Sequence, residues 1–232
     1  MTKSKIKVKL LKYFQKITGY KNVLFIWIPK TGGTTIYELL DIYNAKKYLK
    51  IDSIKNKFNN EGIVTFGHIS YSKLLDANLV NDKFDKNSFK FTFVRNPYSR
   101  MVSLFFYLKK MKIVSLDLSF CEFCKRATTS QPIGLFNVKN FSQCNRQVEW
   151  IRNTKIDFIG KFENMSQDWS KLASHIQCYK HHPIPHKNST NHEHYSFYYD
   201  KTSLEYVNGY YKEDFQTFGY TIKTLDQLKN SK

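Results

Sequence analysis

Four short apolar runs, rich in β-branched and aromatic side chains, punctuate the chain: "VLFIWI" at 23–28, "GIVTF" at 62–66, "FKFTFV" at 89–94 and "DFIGKF" at 157–162. Runs of that length and composition read as buried strands. Around them, apolar residues recur at helical spacing over 35–44, 70–80, 98–111, 116–128, 141–152 and 166–178. Strands that alternate with helices imply right-handed crossovers, so the expected class is α/β, with a central parallel sheet flanked by helices. No internal repeat, proline-rich linker or low-complexity tract divides the 232 residues. A single domain over 21–222 is expected, preceded by a basic segment 1–20 and followed by a tail 223–232.

In sheets of this kind ligands bind just beyond the carboxyl ends of the strands. Those positions are chemically loaded here. The first strand is followed by Lys30-Thr31-Gly32-Gly33-Thr34-Thr35, the second by Gly67-His68, the third by Arg95-Asn96-Pro97 and the fourth by Glu163-Asn164. A lysine, a histidine and an arginine at three successive strand ends predict one basic crevice.

The first of these loops has the makings of an anion cradle. Ile36, Leu39, Leu40 and Tyr43 recur at helical spacing after it, which makes Thr34 or Thr35 the expected N-cap. Gly32 and Gly33 let the backbone approach a ligand, and the first helical turn points its N–H groups at it with the positive end of the helix dipole behind them. The nucleotide-triphosphate P-loop carries its lysine after the glycines. Here Lys30 precedes them, where it reaches the far side of a bound phosphate and the group that would be transferred. The plain alternative is a turn followed by a good helix cap.

Arg95 opens "RNPYSRMVS", with Pro97 suited to the first turn of a helix and Ser103 on the face of Ser99 by i,i+4 spacing. An arginine at a strand end and a hydroxyl on the following helix can hold a second phosphate. A nucleotide phosphorylated at both its 5′ and 3′ positions needs such a pair of sites.

Composition narrows the setting. With 37 Lys and Arg against 19 Asp and Glu the formal charge is +18, which favours anionic partners. No apolar run approaches the roughly 20 residues of a membrane span, and no signal-like segment precedes the first strand. A cytoplasmic location is expected, with segment 1–20 suited to an anionic membrane surface or to packing on the domain. Cys121, Cys124, Cys144 and Cys178 are too few and too irregular for a disulfide framework, and Cys121-x-x-Cys124 lacks the second pair of a zinc site. Five of the seven histidines fall in "HHPIPHKNSTNHEH" at 181–194, a loop-like stretch whose spacing fits no metal-ligand pattern.

The pair P-K-T-G-G-T-T and R-N-P-Y-S-R-M-V-S resembles the sulfotransferases that use 3′-phosphoadenosine 5′-phosphosulfate (PAPS), and in particular the carbohydrate branch that includes heparan sulfate 2-O-sulfotransferase and the chondroitin and dermatan enzymes. "FGHISY" at 66–71, "DFIGKFENMSQDWSKL" at 157–172 and "YYKEDFQTFGY" at 210–220 extend the likeness. The resemblance implies the P-loop-kinase-like sulfotransferase fold and sulfuryl transfer from PAPS to a hydroxyl of a carbohydrate or glycoconjugate. It implies that Lys30 and the 31–35 backbone hold the 5′-phosphosulfate, and that Arg95 and Ser103 hold the 3′-phosphate. His68 would be the base, Lys187 and Asn188 would cover the nucleotide, and no metal would be required. Two other readings stand beside it. A P-loop nucleotide or small-molecule kinase would share the sheet, but it calls for an acidic magnesium ligand where the third strand ends in Arg95. A basic nucleic-acid-binding module would account for the charge and the 16% aromatic content, but not for the two motifs.

Overall fold

Parallel strands β1 (Asn22–Ile26), β2 (Lys46–Tyr48), β3 (Gly62–Phe66), β4 (Ser88–Val94) and β5 (Phe158–Lys161) form one sheet in the order β2-β3-β1-β4-β5. The computed structural model describes residues 22–129, 133, 141–176 and 192–230. Their helices are α1 (Gly33–Asp41), α2 (Ile51–Lys57), α3 (Tyr71–Asp76), α4 (Asp82–Lys86), α5 (Pro97–Lys110), α6 (Phe120–Thr128), α7 (Gln147–Trp150), α8 (Met165–His175), α9 (Lys201–Tyr210), α10 (Lys212–Phe218) and α11 (Leu225–Lys229). The contacts divide the chain into two compact units: a sheet unit, 1–94 with 150–187, and a helical unit, 95–149 with 188–232.

In the sheet unit the period-2 alternation of the strands separates two cores. Val23, Phe25, Ile63, Phe89, Phe91 and Phe93 face one way, onto Ile36, Leu39 and Leu40 of α1 and Trp169 and Leu172 of α8. Leu24, Ile26, Val64 and Phe66 face the other, onto Tyr71 and Leu74 of α3, Phe84 of α4 and Ile54 of α2. Both faces are covered, as a parallel sheet requires. Lys90 is the charged exception within β4, and its Nζ lies 3.1 Å from the Asp85 carboxylate. Register at the far edge is pinned by Asp157, which donates its N–H to the Lys90 carbonyl and accepts the Lys90 N–H on its side chain, both at 2.8 Å.

The expected strands stand where the apolar runs placed them, and β2 is an addition. It is an edge strand with Lys46 and Lys47 exposed and only Tyr48 buried, so it carries no apolar run. The helix expected over 141–152 shortens to Gln147–Trp150.

The helical unit is built around α5, in which every residue from Pro97 to Phe105 is buried. Tyr98, Met101, Val102, Phe105 and Leu108 pack with Phe120 and Phe123 of α6, Leu204 and Val207 of α9, and Phe215 of α10. Asn96 caps α5 through its side-chain oxygen, with Pro97 in the first turn as expected. No helix among the described residues is long and apolar enough to cross a membrane.

Candidate active site

The cradle loop leaves β1 through Trp27, Ile28 and Pro29 and makes two backbone excursions into the left-handed region, at Lys30 (φ 67°) and Gly32 (φ 82°). Thr31 is fully buried between them, its hydroxyl donating to the Ile28 carbonyl at 2.9 Å. That hydroxyl closes the loop, so what Thr31 offers a ligand is backbone. The N-cap of α1 is Gly32 and not Thr34 or Thr35, a correction with a plain cause: a residue at φ 82° turns the chain without a side-chain cap, and the helix begins two or three residues early. The first intrahelical bond runs from the Ile36 N–H to the Gly32 carbonyl at 3.2 Å. The N–H groups of 33–35 therefore precede the helical ladder, the position from which helix N-termini meet anions.

The two glycines answer to packing as well. A Cβ on Gly33 would lie 1.9 Å from the Trp27 indole, and one on Gly32 would lie 2.1 Å from the Met165 methyl at the start of α8. Trp27 thus forms the floor of the loop. Its ring stands 5.5 Å from that of His68 and 6.1 Å from that of Tyr37, with the Lys47 ammonium 4.5 Å from the Tyr37 ring. His68, half-buried, also has a positive φ, 60°. Because β1 and β3 pair directly, Lys30 and His68 sit on neighbouring loops at the carboxyl edge of the sheet unit. A lysine can neutralise an anionic group, and an imidazole can accept a proton near neutral pH.

In the helical unit Arg95 donates from Nε to the Ser99 hydroxyl at 2.9 Å, and Ser99 donates in turn to the Asn96 carbonyl at 3.2 Å. Ser103 shares that face of α5 but lies one turn further on and is 3% exposed. The structure therefore brings Arg95 together with Ser99, which the sequence marked only as a neighbour of Ser103. The second arginine of the motif, Arg100, is structural. It is 1% exposed and donates to the carbonyls of Gln143 and Asn145 at 2.7 and 3.1 Å. Lys187 and Asn188 lie outside the described residues, as does the segment 1–20.

Among the described residues, Cys121, Cys124 and Cys144 lie in the helical unit, away from the cradle loop in sequence. Burial pushes the Cys124 thiol well up and the Cys144 thiol up to about 12, and with Cys121 they are free. Among the described residues no group of three or more His, Cys, Asp or Glu side chains is arranged to hold a metal ion.

A crystal structure of mouse sulfotransferase SULT7A1 complexed with PAP aligns with a TM-score of 0.56 at 14% identity, covering 97% of this chain and 94% of that one, a likeness of fold. An Archaeoglobus fulgidus protein described as uncharacterized is 33% identical over 101 residues, 43% of this chain and 76% of the relative. The family model described as "Sulfotransferase family" matches residues 16–221, from ahead of β1 to beyond α10, and the chain belongs to that family.

Proposed function

We propose that the chain is a PAPS-dependent sulfotransferase whose acceptor is a hydroxyl of a carbohydrate or glycoconjugate. The observation that carries this reading is the cradle loop: a lysine held left-handed ahead of a glycine-capped helix N-terminus, with a histidine in the loop that follows the adjacent strand. Membership of the sulfotransferase family and a structural relative complexed with PAP support it. The acceptor class rests on the likeness of the motifs to the carbohydrate branch.

In this reading the N–H groups of 31–35 and the Lys30 ammonium hold the 5′-phosphosulfate, and Arg95 and Ser103 hold the 3′-phosphate. Lys187 and Asn188 cover the nucleotide. The acceptor oxygen attacks sulfur in line, its proton passes to His68, and the bond from sulfur to the phosphate oxygen breaks. Lys30 neutralises the charge that develops on that leaving oxygen, a preorganised electrostatic role. Adenosine 3′,5′-bisphosphate (PAP) departs. The catalytic domain is assigned to 21–222, and the protonated, free cysteines support a reducing cytoplasmic setting.

The test needs no acceptor. PAP at about 100 times its Kd should add about 2.7 kcal/mol to the native state. For a domain of this size that raises the melting temperature by about 5–10 °C. AMP, which lacks the 3′-phosphate, should shift the melt much less, and Arg95→Ala should erase most of the difference. A larger shift from ATP with magnesium would turn the assignment toward a kinase, and no response to any adenine nucleotide would end it.

A further inference from the structure

Arg95 follows the last residue of β4 directly, yet its backbone remains paired. Its N–H donates to Oε1 of Gln147 at 2.8 Å, and its carbonyl accepts from Nε2 of the same side chain at 2.8 Å. One buried amide thus does for Arg95 what a strand partner does within a sheet. The pairing has only one sense, because turning the amide over would set N–H against N–H and oxygen against oxygen.

Gln147 is fully buried, and Asp214 of α10 fixes it in turn. The fully buried Asp214 carboxylate accepts the N–H groups of Gln147 at 2.8 Å and Val148 at 3.0 Å, and it lies 3.4 Å from Nε2. Arg100 holds the approach to Gln147 through the Gln143 and Asn145 carbonyls. The Arg95 side chain is steered at its other end by Ser99.

We propose that Gln147, set by Asp214, is a positioning residue that fixes where the Arg95 guanidinium meets the 3′-phosphate of the nucleotide. The inference rests on the assignment of Arg95 made above. A guanidinium recognises phosphate through a rigid fork of donors, so its grip depends on where its backbone starts and how its stem is turned. Misplacement by about 1 Å is enough to lose much of such an interaction. A buried, charged, polar network is a costly way to close a core that apolar side chains would fill more cheaply. Its use at the backbone of the arginine assigned to the 3′-phosphate points to placement.

The experiment measures PAP and AMP affinities by calorimetry in four proteins: wild type, Arg95→Ala, Gln147→Leu and the double variant. Gln147→Leu should weaken PAP by about tenfold or more while AMP changes little, the loss appearing in KM for PAPS more than in kcat. In the Arg95→Ala background the same change should do nothing further to PAP. Equal weakening of both nucleotides, or a loss that adds to that of Arg95→Ala, would reject the positioning role. If Arg95→Ala itself leaves the preference for PAP intact, the assignment of Arg95 fails first and the inference with it. Should Gln147→Leu not fold, the wild-type protein decides: the Gln147 side-chain amide resonances should shift on adding PAP and not on adding AMP. Resonances that stay still with both would overturn it.

Discussion

Lys30 and His68 both occupy a backbone region that a side chain enters only at a penalty of order 1–3 kcal/mol, a strain that clusters at working sites. If His68 takes the acceptor proton, His68→Ala should lower kcat by about 10²–10⁴-fold while PAP affinity holds. A variant that instead loses PAP affinity at normal kcat would make His68 a nucleotide ligand. The charged loop residues were legible because they follow apolar runs. Trp27 was not, since nothing local says that its indole fills the space a Gly33 side chain would take and also flanks His68. The glycine pair read as room for a ligand is in part room for a tryptophan.

Among the elements, the long periodic ones were legible and the contact-defined ones were not. The helix expected over 141–152 is cut short because Arg100 takes the Gln143 and Asn145 carbonyls and Asp214 takes the Gln147 and Val148 N–H groups, partners from distant parts of the sequence. Helix α9 shows the opposite case, a local signal in full. Asp200 accepts the Ser203 N–H at 2.7 Å and the Ser203 hydroxyl bonds back to the Asp200 N–H at 3.0 Å, a reciprocal cap. The backbone N–H of Ser203, and then its hydroxyl, holds the Asp200 carboxyl below the usual range. A lowered folded value means that the stability it contributes is present above the unfolded value of about 3.9 and is lost as pH falls through the folded one. Asp200→Ala should therefore lower the unfolding free energy by about 1 kcal/mol at neutral pH. In urea titrations the gap to wild type should close as the pH is taken below about 3.9. A gap that persists in acid would show that the charge of Asp200 is not what the cap uses.

At the scale of the whole chain, strand ends marked the candidate residues, and within the helical unit side chains remote in sequence hold Arg95. Lys30, His68 and Arg95 follow from the rule about carboxyl edges. Ser99, Gln147 and Asp214 do not, because a serine inside a helix, a glutamine and an aspartate in a polar stretch look alike whether solvated or buried. The sheet topology has a temporal consequence as well. β1 is its central strand and the first to be synthesised, while its two neighbours come later: Asn22 bonds Gly62 across 40 residues, and the Ile26 carbonyl is bonded by Thr92 across 66. At ribosomal rates of about 5–20 residues per second, β1 waits several seconds for its second partner. Nascent chains halted before β4 should leave β1 open to proteolysis, and protection of β1 in such chains would mean that pairing with β3 alone is enough. During that interval β1, the most apolar of the described strands, keeps at least one edge unpaired, an aggregation hazard that ends only when β4 arrives.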